Sequence, residues 1–274
     1  MSVNLSNPTG TLVVKLGGAV LTDPERLRGL ARSVAGFEAS SPGRLVIVHG
    51  GGPIADERLA SAGIDCPKHD GLRATPPEAI GLIVECFRDI ANVALCAALA
   101  GAGLDPVGLT LTDHASLRVE PKRVPGVDLG HVGTPSAQDG SGLRGLLHAG
   151  RTPVLCCVGE CPGVGWLNVN ADEAAGALAE CLGAEAVLML SDVPAVLDGS
   201  GSPIGRLDAD GCEALIRAGV IRGGMIPKVR AALHASRHAG CPAVIAGWDG
   251  DDPINAALGG AGTLVTASAE GVPA

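Results

Sequence analysis

Short runs of aliphatic, mostly β-branched residues recur along this chain, and the first two end directly in glycine. TLVVKL runs from Thr11 to Leu16 and is followed by Gly17 and Gly18; RLVIVHG runs from Arg44 to Gly50 and is followed by Gly51 and Gly52. TPVLCCVG (Thr152 to Gly159), AVLMLSD (Ala186 to Asp192) and PAVIAG (Pro242 to Gly247) continue the series. Runs this short and this continuously apolar read as strands covered on both faces. Between them lie segments with helical spacing. Pro24 to Ala39 carries Leu27, Leu30 and Val34, Ile54 to Ala62 follows the second strand, and Pro76 to Leu99 places Ile80, Ile83, Val84 and Phe87 on one face. Few topologies accommodate such alternation. The fold class expected is α/β: a three-layer αβα sandwich around a mostly parallel open sheet. Residues Leu104 to Val132 break the pattern with shorter runs, charges and turns, and are expected as hairpins over the sheet's edge. The 274 residues show no linker and no internal repeat, and a change of role is placed near Asp172 to Gly183.

The core of such a sandwich must be aliphatic here, because apolar residues make up 46% of the chain but aromatics only 1%, with no Tyr. The 41 glycines and 19 prolines punctuate apolar segments rather than forming tracts, as in a folded domain. A net charge of −9 provides no basic stripe for nucleic acid, though a nucleotide needs only a local positive site. The longest apolar segment, Ile90 to Leu104, is broken by Gly101 and Gly103 and is too short for a membrane span. The opening MSVNLSNPTG has neither the basic nor the apolar region of a secretory signal, so a cytoplasmic protein is expected. Nine cysteines in such a chain read as small buried hydrophobes. Cys157 and Cys161 form the one near-motif for a metal, without a second pair or a well-spaced His, and no metal-ligand set is expected.

Lysine is scarce: four against 16 arginines. Two of the four sit in glycine-marked stretches, Lys15 in TLVVKLGG and Lys228 in RGGMIPK. Where Arg serves almost everywhere, a retained Lys suggests a compact point charge with mobile donors. Two lysines with glycine-cradled amides are what a phosphoryl-transfer site needs to hold a polyanion. Gly17 and Gly18 follow the first strand at its carboxyl end, where parallel sheets bind ligands; a tight turn beside a snorkelling lysine would look the same. Gly50, Gly51 and Gly52 repeat the arrangement, with Pro53 placed to open a helix. Neither a dinucleotide fingerprint nor a Walker loop is present. His49 reads as a packed strand residue rather than a base. Arg73, on a turn ahead of a helix, could clamp a carboxylate or simply cap carbonyls. In NVNAD, Asn168 and Asn170 alternate on one face of an extended segment, and Asp172 begins a helix, where a first-turn acid is the plain alternative. Lys228 falls in the first turns of a helix starting near Met225.

Taken together, seven motifs resemble, in order and over nearly the whole chain, those of the amino acid kinase family. They are VVKLGG (Val13 to Gly18), VIVHGGGP (Val46 to Pro53), DGLRATP (Asp70 to Pro76), LGHVG (Leu129 to Gly133), NVNAD (Asn168 to Asp172), LMLSDVPAVLD (Leu188 to Asp198) and GGMIPKV (Gly223 to Val229). The likeness is nearest to the members that phosphorylate N-acetyl-L-glutamate in arginine biosynthesis. It implies ATP and N-acetyl-L-glutamate as substrates, with Mg²⁺ held mainly by the nucleotide phosphates. It implies two lobes, residues 1–178 for the acylated amino acid and dimerisation and 179–274 for ATP. By motif, Lys15 and Lys228 would neutralise the transferring phosphoryl group and Asp172 would orient both. Gly51, Gly52, Arg73 and Asn168 would hold the acceptor, with Arg73 on its α-carboxylate. Gly17, Gly18, Ser191, Asp192, Leu197, Val220, Arg222, Gly224 and Met225 would line the ATP site. The stretch Gly108 to Val119 departs from the pattern, lacking the glycine- and aspartate-rich turn often found there. With about ten residues before the first strand, Pro8 and Gly10 among them, no ring-forming N-terminal helix is expected. The segment Ile245 to Thr266 likewise resembles the short, arginine-insensitive type, and a homodimer formed through the helix Pro76 to Leu99 is expected.

Overall fold

The computed structural model describes Leu5, residues 8–69 and residues 71–267. The opening residues behind the signal and arginine expectations therefore lie mostly outside the described residues, as does Asp70 of DGLRATP. Strand β1 (Leu12–Leu16) passes through a 3₁₀ turn into α1 (Pro24–Ser40), which starts where the Asp23 carboxylate accepts the Glu25 and Arg26 amides. Then come β2 (Leu45–His49), α2 (Gly52–Ser61) and a small antiparallel hairpin, β3 (Lys68–His69) with β4 (Leu72–Arg73). The long expected helix is α3 (Pro77–Val84), a π-helical segment (Glu85–Asn92) and α4 (Val93–Gly101). One row of its buried residues recurs every fourth position, Ala79, Ile83, Phe87, Ala91, Leu95 and Leu99, with Val84, Cys86 and Asn92 buried beside it. A regular α-helix overshoots one turn by roughly 40° at each four-residue step, and the wider i→i+5 turns take up part of that drift.

The chain continues through β5 (Pro106–Thr110), β6 (Leu117–Pro121), β7 (Val132–Ala137), α5 (Ser141–His148), β8 (Thr152–Cys156), β9 (Val158–Cys161) and β10 (Gly165–Val169). The remainder is α6 (Ala171–Leu182), β11 (Ala186–Ser191), β12 (Arg206–Leu207), α7 (Ala209–Arg217), α8 (Met225–Ala239), β13 (Ala243–Gly247), α9 (Pro253–Leu258) and β14 (Thr263–Val265). Eight strands form one sheet in the order β12-β14-β13-β11-β1-β2-β8-β5, parallel throughout except where β14 meets β13. A second sheet, β6-β7-β10-β9, is mixed.

Two expectations need correction. Pro106 to Thr110 is not part of a hairpin but the edge strand of the main sheet, parallel to β8, because Gly108 leaves room for the Asn92 side chain beneath it. The hairpin reading holds only for β6 with β7, which belong to the second sheet. TPVLCCVG is likewise not one strand: β8 pairs with β2, and after Cys157 the chain crosses to pair with β10.

Alternation along β1 sets up the site. Leu12, Val14 and Leu16 face a core built with α1, α4 and α9, whereas Val13 faces the core built with α6 and α8. Lys15 shares the Val13 side by the period of two, and so points toward α6.

Candidate active site

The carboxyl ends of β1, β2, β11 and β13 converge, and the expected lysines gather there. Lys15 Nζ lies 2.7 Å from Asp172 Oδ1, with the two side chains only 8% and 13% exposed. Asp172 is not the cap of its helix. Asn170 is: its Oδ1 accepts the Asp172 and Glu173 amides at 2.8 and 3.1 Å. The cap leaves Asp172 in the first turn, where helix polarity favours a carboxylate. Helix α8 packs closely on α6, with Gly176 admitting the Ala235 backbone, and brings Lys228 alongside. Burial first, and then the charge of Lys15, lowers the proton affinity of Lys228; Asp172 and Asp192 act in the opposite sense. Two ammonium groups thus share one neighbourhood, and a buried cation beside another is stabilised by an incoming anion.

Glycine lets the loops approach. A Cβ on Gly18 would come 2.9 Å from the Gly52 nitrogen and 2.8 Å from Pro53 Cδ, and one on Gly17 would come 2.6 Å from the Trp248 ring. Helices α1, α6, α7 and α9 are capped by Asp or Asn side chains, whereas the 3₁₀ turn, α2 and α8 begin on Gly17, Gly51 and Gly224 with no side-chain cap. At α8 the Met225 and Ile226 amides are taken by the Arg222 and Gly223 carbonyls. It is therefore the turn after Gly17 and the start of α2 after Gly51 whose first amides, at Gly18 and Gly52, are open to oxygen ligands with no side-chain cap in the way.

A cavity of about 240 Å³ opens beside the second loop, lined by Gly50, Gly51, Gly52, Arg73, Asn168 and neighbours. The Arg73 side chain is 8% exposed, pairs with Asp56 of α2 at 2.5 Å and lies 3.4 Å from the Gly52 carbonyl. It is neither a free surface arginine nor close-packed on the two lysines. Asn168 donates to Thr75 Oγ1 at 3.1 Å from the buried strand β10. Ser191 is buried, and neither its hydroxyl nor the Trp248 indole N–H has a hydrogen-bond partner among the described residues. Asp192 and Arg222 are exposed on the rim, and Met225 donates its amide to the Arg222 carbonyl at 3.2 Å. Val220 faces Gly199, on the loop that Leu197 closes by a bridge to Pro203. These last two are tied to one another's loops rather than to the lysines.

Sequence reasoning missed Asp56, Asn170 as cap, and Trp248. It also missed the other two lysines. Lys68 lines the 240 Å³ cavity, and Lys122 binds both carboxylate oxygens of Glu173, next to Asp172, at 2.8 and 2.9 Å. Their scarcity was the available signal: Lys15, Lys122 and Lys228 each lie by α6 or its first-turn acids, and Lys68 lines the cavity beside the glycine loop.

Residues 10–247 match the model of the amino acid kinase family. An acetylglutamate kinase from Edwardsiella ictaluri is 39% identical over 249 residues, 91% of this chain and 95% of that protein. One from Serratia proteamaculans is 41% identical over 251 residues, again 91% and 95%. Among solved structures, that of smu.665 from Streptococcus mutans UA159 superposes with a TM-score of 0.79 at 25% identity, covering 94% of this chain and 99% of that one.

Proposed function

The chain belongs to the amino acid kinase family, and on that premise we propose that it phosphorylates the side-chain carboxylate of N-acetyl-L-glutamate with ATP, in arginine biosynthesis. The observation that carries this reading is the buried Lys15–Asp172 pair beside a Lys228 whose proton affinity is depressed. The acceptor carboxylate is already an anion, so no general base is required. One of its oxygens forms the new bond to the γ-phosphorus as the bond to the β,γ-bridging oxygen breaks, giving N-acetyl-L-glutamyl 5-phosphate and ADP with no proton moved. What the protein supplies is position and positive charge. Lys15 and Lys228 donate to the equatorial and leaving oxygens, while Asp172, engaged by Lys15, orients it.

Residues 1–178 hold the acceptor in this reading. Asp56 fixes the Arg73 guanidinium at the cavity wall, from which its remaining N–H groups reach the α-carboxylate, and Gly51, Gly52 and Asn168 line the rest. Residues 179–274 hold ATP along Ser191, Asp192, Leu197, Val220, Arg222, Gly224 and Met225, with Gly17 and Gly18 toward the phosphates. Among the described residues there is no group of three or more carboxylate, His or Cys side chains placed to hold a metal; in this reading Mg²⁺ comes with the nucleotide, held by its phosphates and water. Bound there, it supplies further charge neutralisation. No helix of the described residues is long and apolar enough to cross a membrane, and nine unpaired thiols suit the reducing cytoplasm. The exposed Ile90 and Val93 support a two-fold dimer through the α3–α4 helix.

ADP release measured against N-acetyl-L-glutamate, N-acetyl-aminoadipate and free glutamate tests the assignment. The first should give the highest kcat/KM; preference for the aminoadipate compound would move the protein to a sister reaction.

A further inference from the structure

We infer that His49 and Asn92 are positioning residues for acceptor binding, through which the π-helical segment Glu85–Asn92 holds the glycine loop Gly50–Gly52 in place. The inference rests on the proposed role of that loop at the acylated amino acid. His49 ends β2 and is wholly buried. Its ring Nδ1 lies 2.9 Å from the Gly50 carbonyl, and its Nε2 lies 3.0 Å from Asn92 Nδ2. The same Asn92 nitrogen lies 2.9 Å from the Val154 carbonyl. An amide nitrogen only donates, so Nε2 must accept, and Nδ1 must carry the proton and donate to Gly50. The remaining Asn92 atom, Oδ1, faces the Cys96 thiol at 3.5 Å. Every polar atom of both side chains is thereby used, and the direction of each bond is determined. Burial holds the imidazole neutral, lowering its pKa to about 4.

The other end of the π segment meets the same loop. A Cβ on Gly51 would lie 2.5 Å from Phe87 Cδ1, so the ring is seated directly against the Gly51 backbone. Gly50 is also tied forward, its amide donating to the Leu16 carbonyl at 3.4 Å. Phe87 reaches the loop directly and Asn92 reaches it through His49, from the two ends of the widened helix, and wide turns of this kind recur at functional sites. A buried His–Asn pair is a costly way to fill space that apolar side chains fill well. Its use here is to orient the Gly50 carbonyl, and with it the Gly51 amide of the same peptide plane, in the loop that lines the cavity.

Two substitutions separate orientation from packing. In His49→Asn the amide nitrogen hangs from Cγ, as Nδ1 does, and can still donate to Gly50. In His49→Gln it sits one atom further out, at the Nε2 position, and cannot. Both should lower the melting temperature. His49→Gln should raise the KM for N-acetyl-L-glutamate about tenfold relative to His49→Asn, with the KM for ATP within about twofold of wild type, the scale of one lost buried hydrogen bond. Equal acceptor KM values for the two variants would overturn the inference. Should either variant fail to fold, ¹⁵N spectra of the histidine rings in the wild-type protein decide it. A neutral Nδ1–H tautomer at His49, shifting when N-acetyl-L-glutamate is added, is expected. An Nε2–H tautomer, an imidazolium, or no response to the acceptor would overturn it. The tautomer is readable whatever the acceptor, so a wild-type protein inactive on N-acetyl-L-glutamate would refute the functional assignment without deciding the hydrogen-bond chain.

Discussion

At the scale of single residues, the two lysines differ in a way that experiments can separate. Lys15→Ala and Lys228→Ala should each cut kcat by about a hundredfold or more with smaller changes in KM, because both charges matter most in the transition state. Their effects on stability should diverge. Lys15→Ala leaves Asp172 buried without its partner and should cost roughly 3 kcal/mol by denaturant titration. Lys228 is instead penalised for its charge in the folded state. Between its lowered folded pKa and the ordinary 10.5 the unfolded chain binds more protons, so stability should rise with pH there while activity falls. His49 supplies a second pH signature. It stays neutral in the fold down to about 4 but protonates near 6.5 when unfolded. Stability should therefore be lost as pH falls from 6.5 toward 4, by an amount on the order of 3 kcal/mol, and thermal melts of His49→Asn should lack that loss.

At the scale of elements, the glycine loops are the tightest fit. Gly18→Ala would drive a methyl group into the Gly52 nitrogen and Pro53, so both loops must move, and turnover should drop about a hundredfold. Gly36 lies on the exposed side of α1 with nothing within 4 Å of its missing Cβ, and Gly36→Ala should stabilise by about 0.5–1 kcal/mol at unchanged activity. The central strands were legible because they are buried on both faces and closed by glycine; Lys15 stood out at the end of one of them, while Lys228 and Asp172 stood out at the starts of helices, after a glycine pair and after NVN. The second sheet was not legible. Strand β6 does alternate, with Leu117 and Val119 buried between exposed Arg118 and Glu120, but β9 does not, and the pairing of both through β7 and β10 is decided by contacts distant in the chain. The π segment was not legible either: Val84, Cys86 and Asn92 are buried beside the four-residue series through Ile83, Phe87 and Ala91, so the apolar spacing does not say which turn widens. Asp56 was invisible because its role comes from Arg73, on the hairpin across from it.

At the scale of the whole molecule, one continuous sheet runs from β12 to β5 and joins the two proposed lobes at β11 and β1. In the proposed division the acceptor cavity and the nucleotide rim would lie on either side of one strand pair, with Lys15 and Asp172 at the seam. On the outer face of the α3–α4 helix, Val93 is 59% exposed and Ile90 36%. If these residues form a two-fold contact, light scattering should give twice the protomer mass, and a double variant with Ile90→Asp and Val93→Asp should return to the single mass. A wild-type protein already at the single mass would rule the contact out. The most direct test of phosphoryl transfer itself is hydroxylamine trapping of the acyl phosphate during turnover with ATP and N-acetyl-L-glutamate. Hydroxamate should form mole for mole with ADP in the wild type, and both should fall about a hundredfold or more in Lys15→Ala. ADP released without hydroxamate, or Lys15→Ala trapping at the wild-type rate, would contradict the account.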